Sequence, residues 1–284
     1  VGADTNYTAP SSKTFTVAVT LVSKTLSSNS WAVIKAVSDA GQGANYWSVG
    51  ATKSVTINGK VGATTISSLK VDAFIIGFNH NSGKEGSNRI HFLLGKISGK
   101  FVGLVDSSYG SMTSTSGAFT MNTSNTNSGG WGSSQMRSKV LGSASSPTSP
   151  TANTLMAALP SDLRAVMKSC TKYTDNNGGG NTASNVSSTT DYLFLLSEYE
   201  VFATHQYCND AEPNYQAQYD YFKAGNSKVA NKHSATGTAA VWWLRSPYSS
   251  GIGYTYSFCA VSSSGSLAYY TAYGAYGVVP GFVV

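Results

Sequence analysis

VWWLRSPYSSGIGYTYSFCAVSSSGSLAYYTAYGAYGVVPGFVV, residues 241–284, is the stretch on which the reading of this chain turns. From His233 to Val284, 52 residues, there is no Asp, Glu or Lys, and Arg245 is the only fixed charge. Seven of the 17 tyrosines (Tyr248, Tyr254, Tyr256, Tyr269, Tyr270, Tyr273 and Tyr276) fall within the 29 residues 248–276, and Ser, Gly, Ala and Thr make up most of the rest. Tyr offers a large, rigid contact area with a hydrogen-bonding tip, and Ser and Gly offer adaptability, the composition of antibody paratopes. The same alternation also suits strands of a sheet with one wet face. A buried Tyr, however, needs a partner for its hydroxyl. Seven in so short a run therefore favour an exposed binding surface over a core strand. Arg245, set in WWLRSP, reads as a structural pin whose five donors tie carbonyls together.

Working outward, the chain has 284 residues and a net charge of +6, yet only 11% of its residues are charged, about half the usual share of roughly 25%. Its Lys and Arg are scattered singly, without the basic stripe that nucleic-acid binding requires. No apolar run approaches the ~20 residues of a membrane span. Residues 1–14 are polar and turn-rich and read as a linker or the end of a preceding domain, and Val1 in place of an initiator Met suggests a fragment or processed chain.

FTVAVTLVS (15–23) is β-prone, and SWAVIKAVSDAG (30–41) predicts a helix capped by Ser30, with Trp31, Val33, Ile34 and Val37 on its apolar face and Gly41 at its end. SVTINGKVGATTI (54–66) carries Asn58-Gly59, a strong hairpin signal, and Ser98-Gly99 marks a second turn. Helical spacing appears at 133–142 and at 151–170, where Pro160 interrupts, and again at 216–226. DYLFLLSEYEVF (191–202) reads as a buried strand or strand-to-helix turn, and 231–284 as strand and turn throughout. The sum is an α+β fold, with residues 1–44 as a linker plus short helix and 45–284 as the main domain.

Catalytic signals are sparse. The histidines (His80, His91, His205, His233) are not paired at ligand spacing, and Cys170, Cys208 and Cys259 are far apart with no CxxC, so neither metal nor cofactor is expected. His91 lies in an apolar run and reads as a core residue, and GFNHNSG (77–83) as an Asn-stabilised turn rather than a ligand loop. Glu198 and Glu200, two apart, could serve catalysis, but their spacing is also that of a capped or salt-bridged element.

Beyond these local readings, the C-terminus resembles a bacterial and phage domain family with a C-type lectin fold, whose pattern is W-L-R-S-P, a variable stretch, a Gly turn, a second variable stretch and G-V-x-P-x-F. The matching positions are Trp243, Leu244, Arg245, Ser246, Pro247, Phe258, Cys259, Val261, Gly265, Gly277, Val278, Pro280 and Phe282, and AFIIGFNHN, GGWGSSQMRSKVLG, ALPSDLRAVMKSCTKYTDN and DYLFLLSEYEVF extend the likeness over roughly 45–284. Several such domains are variable proteins of diversity-generating retroelements, in which adenine-encoded positions near the 3′ end of the gene are rewritten. Rewritten AAC codons never encode Trp, Met, Lys, Gln or Glu, and residues 248–276 contain none of the five. They contain no Asn either, so rewriting would have touched nearly every such position.

The resemblance implies a C-type lectin-like fold and a non-enzymatic, hypervariable ligand-binding protein, displayed on a phage tail or bacterial surface and directed at a protein or glycan on another cell. Oligomerisation would come through a longer parent protein. Within it Trp242, Trp243, Arg245, Pro247, Gly265, Gly277 and Pro280 would form the framework. The contact residues would be Tyr248, Ser249, Ser250, Ile252, Tyr254, Tyr256, Ala260, Ser262, Leu267, Tyr269, Tyr270, Ala272, Tyr273, Ala275 and Tyr276.

Three rivals stand beside this reading. The related formylglycine-generating enzymes would need a second thiol close to Cys259. A fixed adhesin module would use its tyrosines to pack against a neighbouring copy. A calcium-dependent lectin would need acids that the C-terminal segment lacks.

Overall fold

The computed structural model describes residues 21–249 and 255–284. The first six residues of the β-prone run at 15–23, and the expected contact residues Ser250, Ile252 and Tyr254, lie outside the described residues. The fold is mixed α and β, with short helices and several sheets whose strand ladders, among the described residues, are antiparallel except that of Lys100–Gly103 with Ala230–Lys232.

The largest sheet is built on β1 (Thr52–Val61), β2 (Thr64–Phe78), β3 (Ile90–Ile97) and β4 (Lys100–Gly103). Next come β5 (Cys170–Asp175) and β6 (Val186–Asp191), a separate two-stranded ribbon, and β7 (Leu193–Phe194). β8 (Ala230–Lys232) joins β4 in a parallel pairing, and β9 (Ala235–Ala240) follows it. β10 (Trp242–Pro247), β11 (Ser257–Val261) and β12 (Leu267–Thr271) form a three-stranded sheet in that order. β13 (Gly281–Val283) returns to the large sheet, pairing with both β3 and β7.

The helix expected after Ser30 forms over Trp31–Asp39, with the Ser30 Oγ accepting the Val33 N–H at 3.2 Å. Its apolar stripe docks on the large sheet. Trp31 meets Phe92 and Phe282 edge-on, and the Ser38 hydroxyl donates to the Val284 carbonyl. Leu26, Trp31 and Ile34 are buried in the same core as residues beyond 45, so the short helix expected within 1–44 packs against the main domain.

The hairpin expected at Asn58-Gly59 turns instead at Gly62-Ala63. Asn58-Gly59 is a bulge inside the ribbon, and the Asn58 side chain accepts the Ser68 N–H. Running past Gly59 lets Val61 join Val55 and Ile57 in the core, burial that a turn at Asn58 would forfeit. The true turn needs glycine: Gly62 has φ +58°, and a Cβ there would lie 2.0 Å from the Gly117 carbonyl oxygen. The Ser98-Gly99 turn is as expected, with positive φ at both central residues. Pro160 does interrupt its segment, separating the turns Leu155–Ala158 and Ser161–Arg164.

Candidate functional site

The tyrosine-rich segment is held from beneath by a buried network of charges. Arg245, on β10, is fully buried, and all of its nitrogens are engaged. Nε donates to Thr174 Oγ1 at 2.6 Å, Nη1 to the Leu195 carbonyl at 2.8 Å and to Glu200 Oε2, and Nη2 to Glu200 Oε1 at 3.0 Å and to the Tyr173 carbonyl. The guanidinium thus joins β10 to β5 and to the turn that leads from β7 into the helix Glu198–Phe202. Glu200 is part of that helix's own start, because it forms a capping box with Ser197.

Lys172, from β5, extends the network. Its ammonium donates to Glu200 Oε1 at 3.0 Å, to Glu85 Oε2 at 2.8 Å and to the Tyr219 hydroxyl at 2.8 Å. Burial pushes the Glu200 carboxyl up, but Arg245 and Lys172 outweigh it and hold Glu200 well below the ordinary carboxylate range. Burial likewise drives Glu85 up, and here Lys172 offsets it only in part. Among the described residues no cation pairs with Glu212; burial raises it to about 7 although it accepts the Asp175 N–H and the Ser246 hydroxyl.

Glu198 does a different job. Its carboxylate accepts the backbone N–H groups of Gln206, Tyr207 and Cys208 and the thiol of Cys259. It therefore fixes the loop that presents Tyr207. Cys208 and Cys259 share this acid, so a second thiol does lie near Cys259. Both are fully enclosed, and burial together with Glu198 and Glu212 pushes each thiol well above its usual value. A thiol so held is a poor nucleophile.

Above this base lie the expected contact residues. Tyr256, Ser262, Leu267, Tyr269, Tyr270, Tyr273 and Tyr276 reach the surface half-buried. Tyr248, Ser249, Ala260, Ala272 and Ala275 do not reach it, which corrects the expectation for these five. Each has a packing reason. Ala260 sits opposite Trp243 and Ala268 in the middle of the sheet. Ala272 and Ala275 lie under the segment 110–122, which bonds to their backbones. The Ser249 hydroxyl donates to Asp175, and the Tyr248 ring is sandwiched between its neighbours.

The tyrosines do not share one face. Adjacent residues of a strand point to opposite sides, so Tyr269 and Tyr270 head separate clusters. Tyr269 meets Tyr248 at 4.5 Å and Tyr207 at 4.9 Å between ring centroids. Tyr270 meets Tyr276 at 4.6 Å, and Tyr276 rests on Trp243 and Tyr109. Lys232 lies over the Tyr109 ring, and nearby Met112, paired with Gly274, is 63% exposed.

Tyr109 and Tyr207 were not among the expected residues. Their only signal is an aromatic placed among polar residues in a loop, VDSSYG and ATHQYC. Of the expected framework, Trp242, Trp243, Arg245, Pro247, Gly277 and Pro280 are buried. Gly265 turns the β11–β12 connection at φ +83°.

This segment lies within the part of the chain that matches a known family. The family described as a domain of unknown function (DUF6273) matches residues 113–284, more than half of the chain, and the chain belongs to it. No curated protein and no solved structure matches the chain. Among the described residues no helix is long and apolar enough to cross a membrane.

Proposed function

We propose that this chain is a non-enzymatic ligand-binding domain whose contact surface is the edge formed by β12 and residues 273–276. The observation that carries the reading is the contrast in burial along one short segment. Half-exposed tyrosines alternate there with fully buried alanines and stand over a base of Trp243 and Arg245 that is itself inaccessible. Such a base tolerates change at the rim, because an exposed side chain usually alters stability by under ~0.5 kcal/mol. Aromatic rings with hydroxyl tips suit a protein or a glycan on another cell.

The likeness to C-type lectin-fold variable proteins supports a finer reading: a hypervariable receptor-binding protein, diversified by a retroelement and displayed on a phage tail or a bacterial surface. Two experiments test it. Tyr256, Tyr270 and Tyr273 replaced together by Ser should abolish binding of the labelled protein to a panel of bacterial cells while moving the melting temperature by only a few degrees. Undiminished cell binding by the folded triple variant would end the surface reading. Sequencing the 3′ end of the gene across related isolates should show adenine-templated changes confined to codons 248–276, and a uniform 3′ end would remove the retroelement.

A further inference from the structure

The chain folds a second cluster together that sequence spacing does not announce. His80, Glu85 and Glu200 each offer a ligand atom, all within 4.8 Å of one another and all on buried residues. His80 stacks flat on the Tyr219 ring, 3.6 Å between centroids. That contact aims its Nε2 at Glu85 Oε1, 3.7 Å away, and leaves the nitrogen buried without a hydrogen-bond partner. The separation is too long for a hydrogen bond, which would need about 3 Å. It is short for a bridging water: two legs of about 2.8 Å at a tetrahedral angle would hold the atoms ~4.6 Å apart. Two ligands at about 2.0–2.1 Å from one metal stand roughly 3.3–3.6 Å apart at tetrahedral to trigonal angles.

We propose that His80 Nε2 and Glu85 Oε1 form a seat for a divalent transition metal of the zinc type, which Glu200 completes as third ligand when the metal displaces the Lys172 ammonium from its Oε1 while Arg245 keeps hold of its Oε2. One imidazole and two carboxylates make a donor set such an ion accepts. Lys172 is the built-in competitor, because its ammonium bridges the same two acids and marks the place where positive charge belongs. The seat lies just under the surface behind the left-handed turn Asn79–Asn81, where His80 and Glu85 retain 7% and 4% exposure.

The test uses the metal alone. Metal-free protein titrated with Co²⁺ should take up one ion per chain with the visible absorption of a low-coordinate site, and Zn²⁺ should displace it. His80→Ala should weaken uptake more than tenfold, and Lys172→Met should tighten it. With ¹⁵N-labelled histidine in the wild-type chain, Zn²⁺ should shift a buried ring rather than exposed His205, a readout that stands even if a variant fails to fold. No uptake by the wild-type chain, a shift of His205 alone, or unchanged uptake by folded His80→Ala would each overturn the site.

Discussion

Arg245 and Tyr270 stand two strands apart in one three-stranded sheet, and they are governed by different physics. The guanidinium is sealed in, and each of its nitrogens is committed to a particular carbonyl, hydroxyl or carboxylate. The phenol ring is half-exposed and touches another ring. In the first region every partner that is lost leaves a buried charge uncompensated. In the second, water stands ready to replace what is removed. The lesson is that one sheet can be intolerant of substitution on the strand it buries, β10, and permissive on the strand at its other side, β12, provided the charge network ends before that strand begins.

The largest effect should come from breaking the inner region. Arg245→Met strands Glu200 between Lys172 and an empty wall. We expect a loss of about 3–5 kcal/mol in urea unfolding, the range for removing one partner of a buried pair. The double variant Arg245→Met/Glu200→Met should regain a good part of that loss, since apolar residues of similar volume often replace a buried ion pair at little cost. A single-variant loss under ~1 kcal/mol would mean that the network is ornamental and that the two regions do not differ.

The next effect concerns Glu212, buried in the same region without a cation to hold its charge. Its folded-state value, about 7, lies above the ordinary 4.5. Between these values the unfolded chain has released its proton and the native chain has not. Native stability should therefore fall as pH rises from about 4.5 to 7 and level off above, by at most roughly 3 kcal/mol. Glu212→Gln should remove that slope and raise stability at pH 7. Glu200 works in the opposite sense: its depressed value contributes stability that is present above about pH 4.5 and is lost in strong acid. A stability profile for Glu212→Gln that matches the wild type across pH 4.5–7 would show that this acid is solvated after all.

The two regions were unequally legible in the sequence. Local chemistry was readable: Ser30 caps its helix, Pro160 interrupts, Ser98-Gly99 turns, and an Arg alone among aromatics proved to be a pin. The charge network was half-readable. The Glu198/Glu200 spacing was that of a capped or salt-bridged element as much as of a catalytic pair, and the partners Glu85 and Lys172 lie 87 residues apart in sequence and carry no local signal. Lys172 in TKYTD looks like any surface lysine and is fully buried. At the edge, composition identified the tyrosines but could not say which face each takes, nor that Tyr109 and Tyr207 join from distant loops. The alanines were misjudged for a related reason. A small residue between tyrosines reads as variable, when here it is small because Trp243 or a crossing backbone leaves no room. The Asn58-Gly59 signal lost to burial of Val61, a long-range term that no dipeptide encodes.

The smallest expected effects would sharpen the comparison most, because they divide the edge itself. Tyr270 rests on Tyr276, which rests on buried Trp243, so its ring covers part of the core's last layer. Tyr270→Ser should cost about 1 kcal/mol, the worth of one aromatic pair. Tyr273 has no ring partner among the described residues, and its tie to the fold is a backbone carbonyl accepting the Thr113 N–H, which any side chain preserves. Tyr273→Ser should therefore change stability by under ~0.5 kcal/mol. If the two variants lose binding to the same cells equally, both tyrosines are contacts, and the difference in stability measures packing alone. If Tyr273→Ser costs as much stability as Tyr270→Ser, the boundary between the permissive and the intolerant region lies further out than β12, and the surface free to vary shrinks to the turns beside it.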